Sequence, residues 1–211
     1  MKRNKLENTT EPRSFGQIRY DEKRVAIIKS AAKAFGRKGF FAATIEDIAN
    51  ELTMTKGSLY YYFSTKEELL FEVHQVSLHE VLINIRKIAA SKAPPEQKMR
   101  QAITKHLEVF AMEYEGAYLL QQEYNLPDPY KGKIIVLRDE YEKHLIGIIE
   151  EGVKAKQFSV KNIKITSFCI LGAINWFLRW FSSSGKLTVD EIADIYSDFF
   201  LKGLLTREPH K

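Results

Sequence analysis

The sequence predicts an all-α protein of about nine helices, with an N-terminal three-helix helix-turn-helix head and a C-terminal helical body. Three observations predict it. Apolar residues recur at helical spacing along most of the chain. Capping pairs of the S/T-x-x-D/E kind, with helix-stopping glycine and proline, punctuate that spacing. The β-branched clusters are short and lie inside the helical period, so no strand stands out.

Taken in order, Val25, Ile28, Ala31, Ala32 and Phe35 mark the first helix, and Gly39 ends it as a C′ glycine. Thr44 opens the second helix with Asp47 as its partner, and Ile45, Ile48, Ala49 and Leu52 face inward. Met54 and Thr55 make a tight turn into a short helix over 56–63, anchored by Leu59 and Phe63. Ser64 with Glu67 reads as the capping box of a long helix that runs to about Ala90. Pro94 and Pro95 break the pattern and start a helix to about Glu113. An aromatic segment over 114–124 follows, then the punctuation Asn125-Leu126-Pro127-Asp128-Pro129. A long helix from about Tyr130 to Lys156 comes next, and then a very apolar one from about Ile163 to Phe181, closed by Gly185. Thr188 with Glu191 caps the last helix, which reaches about Leu205.

Composition narrows the class. The 211 residues are 45% hydrophobic and 28% charged, ordinary for a chain that buries a real core. Cys169 is the single cysteine, which excludes an intramolecular disulfide and a multi-cysteine zinc site. The polar N-terminus lacks the apolar region of a secretory signal, and no run approaches the ~18 apolar residues of a membrane span. A cytoplasmic protein without membrane attachment is expected. The net charge of +5 is unevenly placed: residues 1–70 hold 13 basic against 9 acidic residues, whereas 71–211 hold 19 against 18. Residues 1–38 alone carry 11 basic and 4 acidic residues. Such a bias suits a polyanionic partner. For residues 1–14 two readings stand: a solvated basic leader, or an arm that reaches the DNA backbone or minor groove.

The short helix over 56–63 carries Lys56, Ser58, Tyr60, Tyr61 and Tyr62 on barely two turns. Two helices joined by a tight turn, the second polar and aromatic, fit a DNA major groove. Helix N-termini at Thr44, at Lys56 and at 64–66 offer free N–H groups to phosphates, so Thr44 and Lys66 are expected to clamp the backbone on either side. Lys56 and Ser58 are the base-edge candidates, and Gly57 lets the backbone come close to the DNA. Tyr60 is expected to touch a base methyl, and Tyr61 and Tyr62 to donate to phosphates. Packing alone does not account for all three tyrosines, because Leu59 and Phe63 already fill the inward positions.

Catalytic patterns are missing. Ser182-Ser183-Ser184-Gly185 lacks the phosphate-loop pattern, there is no G-x-S-x-G elbow, and the five histidines form no i,i+4 zinc-type pair. No enzyme, metal or cofactor is expected.

The segment FGRKGFFAATIEDIANELTMTKGSLYYYFSTKEELL resembles the DNA-binding head of the tetracycline-repressor (TetR) family. The resemblance covers about residues 21–70. It implies an all-helical homodimer whose heads bind a palindromic operator, and it assigns DNA contact to Thr44, Lys56, Gly57, Tyr60, Tyr61 and Lys66. Tyr62 departs from the pattern, since many members carry histidine there. The chain thus divides into a basic arm (1–20), a helix-turn-helix DNA-binding domain (21–68) and a ligand-binding and dimerisation domain (69–211).

The last two helices are apolar nearly all round and must be buried on more than one side. A second subunit explains this economically, and the resemblance implies a four-helix bundle between twins. Phe177, Phe181, Ile192, Tyr196, Phe199 and Phe200 are the interface candidates. The run GAINWFLRWF, 172–181, resembles that of a subgroup sensing acyl-CoA thioesters in fatty-acid or sterol-side-chain catabolism. Trp176, Arg179 and Trp180 offer a cation and two indoles for a nucleotide or phosphate end. Phe110, Tyr114, Tyr118 and Leu119 offer an apolar lining for an acyl chain. The alternative is that both tryptophans belong to the dimer core and Arg179 pairs with an acid.

The expected function is a ligand-responsive transcriptional repressor that is released from its operator by a small hydrophobic effector, a fatty acyl-CoA. A multidrug-sensing repressor of an efflux gene is the alternative within the class, with Glu113, Glu115 and Glu123 beside the aromatic segment. A helical enzyme or carrier is the alternative outside it.

Overall fold

The computed structural model describes residues 15–113 and 125–206. Its described residues form eight α-helices: α1 (Phe15–Lys38), α2 (Ile45–Glu51), α3 (Lys56–Tyr60), α4 (Lys66–Ala90), α5 (Pro95–Glu113), α6 (Asp128–Lys154), α7 (Ile163–Trp180) and α8 (Val189–Leu204). Among these residues the only β-type pairing is an isolated bridge between Phe158 and Leu205. The all-α expectation holds, and the eight described helices stand against about nine expected.

The head closes on a small apolar core. Ile27, Ala31 and Phe35 of α1 meet Ile48 and Ala49 of α2, Leu59 of α3 and Phe63, all fully or almost fully buried. Gly39 stops α1 with φ of +77°, a conformation that favours glycine, and its N–H donates to Phe35 C=O at 2.8 Å. Helix α1 begins at Phe15, so residues 15–20 of the expected arm are its first turns. The helix over 56–63 is shorter than expected: Tyr61 is its C-cap, and Phe63 N–H still bonds back to Leu59 C=O at 3.2 Å.

Two terminus assignments need correction. Helix α4 is capped by Thr65, whose hydroxyl accepts from Glu68 N–H at 3.0 Å, while the Glu68 carboxylate accepts from Ser64 N–H at 2.7 Å. The cap is therefore one residue later than the Ser64–Glu67 reading. Sequence spacing fits both pairs, and only the backbone angle at Thr65 selects between them. Helix α7 ends when Phe181 turns extended, and Gly185 belongs to the following turn, its N–H donating to Ser182 C=O at 2.9 Å.

The body stacks α4 on α5 and α6, α5 on α8 and α6 on α7. Two features pin its ends. Lys98 is 3% exposed, and its ammonium donates to Ala89 C=O at 3.0 Å and to Glu151 at 2.7 Å, tying α5 to the end of α4 and to α6. After α6 the chain reverses and seats Phe158 on Gly152, where an added Cβ would lie 2.1 Å from the ring. Ser159 N–H then donates to Leu204 C=O at 2.7 Å and Thr206 N–H to Gln157 C=O at 2.9 Å, joining the ends of α6 and α8.

Helix α4 runs unbroken from head to body. Arg24 of α1 pairs with Glu72 of α4 at 3.1 Å and lies 4.5 Å over the Phe63 ring. Beside Glu72 on α4, Phe71 stacks on Tyr130 of α6 with centroids 4.7 Å apart, and Lys133 covers both rings.

Candidate DNA interface and effector region

Each short helix of the head is built from its cap. Thr44 accepts from Asp47 N–H at 3.1 Å, and Asp47 accepts from Thr44 N–H at 2.9 Å, a full capping box. Lys38 reaches the other Asp47 oxygen at 2.8 Å. That hydrogen bond, followed by those from Thr44, holds the Asp47 carboxyl down to about 2. The exposed Thr44 hydroxyl, having accepted from the backbone, keeps its proton to donate to a phosphate.

Thr55 caps α3, accepting from Ser58 N–H at 3.1 Å and sharing a 2.8 Å contact with the Ser58 hydroxyl. Ser58 is thus engaged with the cap in the DNA-free protein. Lys56 pairs with Glu46 of α2, which raises its own affinity for a proton and lowers that of Glu46. Both groups are exposed, so this pair is screened and exchanges readily for a phosphate or base. Gly57 faces open space: an added Cβ would meet only Thr55 Oγ1, at 4.0 Å. Packing within the head does not require glycine there.

The three tyrosines take three situations. Tyr61 is 74% exposed and Tyr60 is 41% exposed, whereas Tyr62 is half-buried. Tyr20 of α1 stacks on Tyr62 with centroids 4.9 Å apart, and Tyr61 stands edge-on to both rings. Lys66 lies 4.4 Å over the Phe40 ring and donates to Phe41 C=O at 3.4 Å, and partial burial lowers its pKa. Phe41 beside it is 81% exposed. The structure therefore brings Thr44, Lys56, Gly57, Ser58, Tyr60, Tyr61 and Lys66 onto one head, on the termini of three short segments. Sequence reasoning missed Thr55, whose T-x-x-S spacing was legible. It also missed Tyr20, whose stacking partner lies far along the chain.

Helices α7 and α8 each have two faces. Ile170, Ile174 and Phe177 of α7, with Ile192, Ala193 and Leu201 of α8, are buried within the protomer. Phe177 and Ile192, expected at the subunit interface, are thus interior residues that back that face. Exposed on the other side are Ile165, Phe168, Trp176 and Trp180 of α7 and Ile195 and Phe199 of α8. Phe181, Tyr196 and Phe200 are half-buried along its edge. Trp176 and Trp180 therefore point outward from the protomer, with the Arg179 guanidinium 5.6 Å from the Trp176 ring. Phe110 is buried in the body, its ring 4.8 Å from that of His106. Tyr114, Tyr118, Leu119, Glu115, Glu123 and the side chain of Glu113 lie outside the described residues. Among the described residues no group of histidines, cysteines and acids is placed to hold a metal, and no helix is long and apolar enough to cross a membrane.

Residues 27–73 match the family model for bacterial regulatory proteins of the tetR family, and residues 92–204 match that for the tetracyclin repressor-like C-terminal domain. The chain belongs to the TetR family. It is 27% identical over 191 residues to the HTH-type transcriptional repressor KstR2 of Rhodococcus jostii (strain RHA1), covering 89% of this chain and 93% of that one. Among solved structures it resembles the TetR-family regulator PfmR of Thermus thermophilus, with a TM-score of 0.79 and 30% identity over 84% of this chain and 97% of that one. It shares its fold with AibR solved in complex with isovaleryl coenzyme A and operator DNA, with a TM-score of 0.76 and 21% identity, covering 84% of this chain and 97% of that one. As a TetR-family member the chain is a helix-turn-helix transcriptional regulator.

Proposed function

We propose that this TetR-family chain is a ligand-responsive repressor: a homodimer that binds a palindromic operator and is released by a small hydrophobic effector, a fatty acyl-CoA. The observation that carries the reading is α4, one unbroken helix whose first turns hold the head and whose later turns pack on α5 and α6. In this reading α3 enters the major groove, Lys56, Gly57, Ser58 and Tyr60 face base edges, and Thr44, Tyr61, Tyr62 and Lys66 hold phosphates. Tyr62, stacked on Tyr20, also orients Tyr61. The exposed face of α7 and α8 meets its copy in a second protomer and sets the two heads at half-sites ~34–36 Å apart.

The effector works by differential affinity. It binds more tightly to the state whose heads do not match the operator, and DNA weakens effector binding by the same factor, with a coupling of about 1–3 kcal/mol. Arg24–Glu72 and Phe71–Tyr130 are the contacts through which α4 carries the change. Two things support an acyl-CoA effector: the 172–181 segment, and a fold that is shared with AibR in complex with isovaleryl coenzyme A.

The test begins with selection of operator DNA from a random pool, followed by gel shift with and without long-chain acyl-CoA. Selective binding of a palindrome, lost on adding acyl-CoA, is the expected result. Selective binding that acyl-CoA leaves unchanged rejects this effector, and binding without sequence preference rejects the repressor assignment.

A further inference from the structure

Two helices of the body each bring one polar side chain to an imidazole carried by a third. His106 of α5 is 5% exposed and Tyr141 of α6 is 6% exposed. His106 Nδ1 and the Tyr141 hydroxyl are 3.2 Å apart. Asn175 of α7 approaches the ring and favours its protonated form, but His106 Nε2 has no hydrogen-bond partner. One turn further along α5, Phe110 covers the ring.

Burial sets the protonation of this group. It drives the His106 pKa down to about 3 and pushes that of Tyr141 up, so both are neutral near neutral pH. A neutral imidazole has one N–H and one bare nitrogen. The phenol is the natural donor to Nδ1, which places the ring proton on Nε2. A buried N–H without an acceptor is costly, and such groups in folded proteins call for an explanation. Its position among α5, α6 and α7 supplies one.

We infer that His106 is the polar anchor of the effector site, donating its Nε2–H to an uncharged carbonyl oxygen of the effector. Tyr141 is a positioning residue that fixes the tautomer, and Phe110 packs beside the acyl group. The inference rests on the reading of the body as an acyl-CoA sensor and names the atom of the effector that is recognised. A thioester carbonyl suits this donor. A free carboxylate does not, because a neutral imidazole leaves a buried anion without a counter-charge.

The experiment compares palmitoyl-CoA with S-hexadecyl-CoA, a thioether without the carbonyl, by titration calorimetry on the full chain. The wild type is expected to bind the thioester about ten-fold more tightly. His106→Leu and Tyr141→Phe are expected to lose that preference while keeping thioether affinity and operator binding. Tyr141→Phe removes a single oxygen, so it carries the test if His106→Leu does not fold. Equal wild-type affinities for the two probes, or variants that keep the preference, overturn the role of His106 and leave the acyl-CoA reading standing. A wild type that binds neither probe overturns both.

Discussion

On the head, Tyr60 and Tyr61 are exposed among hydroxyls, backbone caps and ion pairs. On α7 and α8, Trp176, Trp180, Ile195 and Phe199 are exposed beside other apolar groups, with cations such as Arg179 and Lys164 lying over the rings. Both regions present aromatic rings to solvent, but the head offers the hydroxyls of Tyr60 and Tyr61 beside Phe41, whereas α7 and α8 offer two phenylalanines and two indoles with no hydroxyl among them. Exposed rings with hydroxyls suit a polar, charged surface such as DNA. A contiguous apolar face suits another apolar face. The difference also shows within one helix, since Phe177 is fully buried one residue from the 59%-exposed Trp176.

The sharpest way to break this contrast is to truncate one ring on each side of that boundary. Phe177→Ala is expected to destabilise the protomer by about 3–5 kcal/mol in chemical denaturation, because it empties a fully buried site. Phe199→Ala, at a site 71% exposed in the protomer, is expected to leave monomer stability nearly unchanged and to raise the dimer dissociation constant in sedimentation equilibrium. Equal losses of monomer stability from the two would erase the distinction between the faces.

Titration offers a second comparison, because the head and the body respond to acid in different windows. Buried His74 and His106 have pKa values lowered to about 4 and about 3, chiefly by burial. The unfolded chain takes up their protons first, near the ordinary histidine value, so body stability falls as pH drops below ~6.5 toward those values. Asp47 behaves like an ordinary paired carboxylate: its lowered pKa favours the folded head above ~3.9, and that contribution fades as pH falls toward about 2. Hence the body is expected to loosen at higher pH than the head, which residue-resolved amide exchange from pH 7 to 4 measures. His74→Phe should narrow the gap.

Smaller effects sharpen the head itself. Tyr61→Phe is expected to weaken operator binding up to about ten-fold and by the same factor on non-cognate DNA, because a phosphate contact carries no sequence information. Gel shift on both DNAs decides it. Gly57→Ala meets no protein atom closer than 4.0 Å, so unchanged or higher thermal stability with weaker operator binding is expected. Smallest of all, Thr65→Ala should cost about 1 kcal/mol, whereas Ser64→Ala should cost only a few tenths.

Sequence carried the head almost residue by residue, because its architecture is local. A cap and the backbone it serves are three residues apart, and apolar anchors such as Leu59 and Phe63 share one short segment. What it did not carry were facts of spatial choice. Ser64–Glu67 and Thr65–Glu68 have the same spacing, and only the path of the chain selects the second pair. In α7 the apolar residues run nearly all round, and in α8 they flank both sides of the Asp190, Asp194 and Asp198 stripe, so periodicity could not say which apolar residues face the protomer. Phe177 and Ile192, expected at a subunit interface, are accordingly found buried within the protomer. Tyr20 and His106 lay beyond such reasoning, because each meets its partner across helices 35 or more positions apart in the chain.

The seat of Phe158 on Gly152 has one further consequence. It fastens the end of α6 to the end of α8, while the other end of α6 touches α4 through Tyr130. One rod thus spans from the helix that leaves the head to the helix that would meet a twin subunit. Any side chain at position 152 would displace the Phe158 ring and, with it, the joint between α6 and α8. The missing methyl at position 152 thus governs the alignment of two whole helices and not only its own turn.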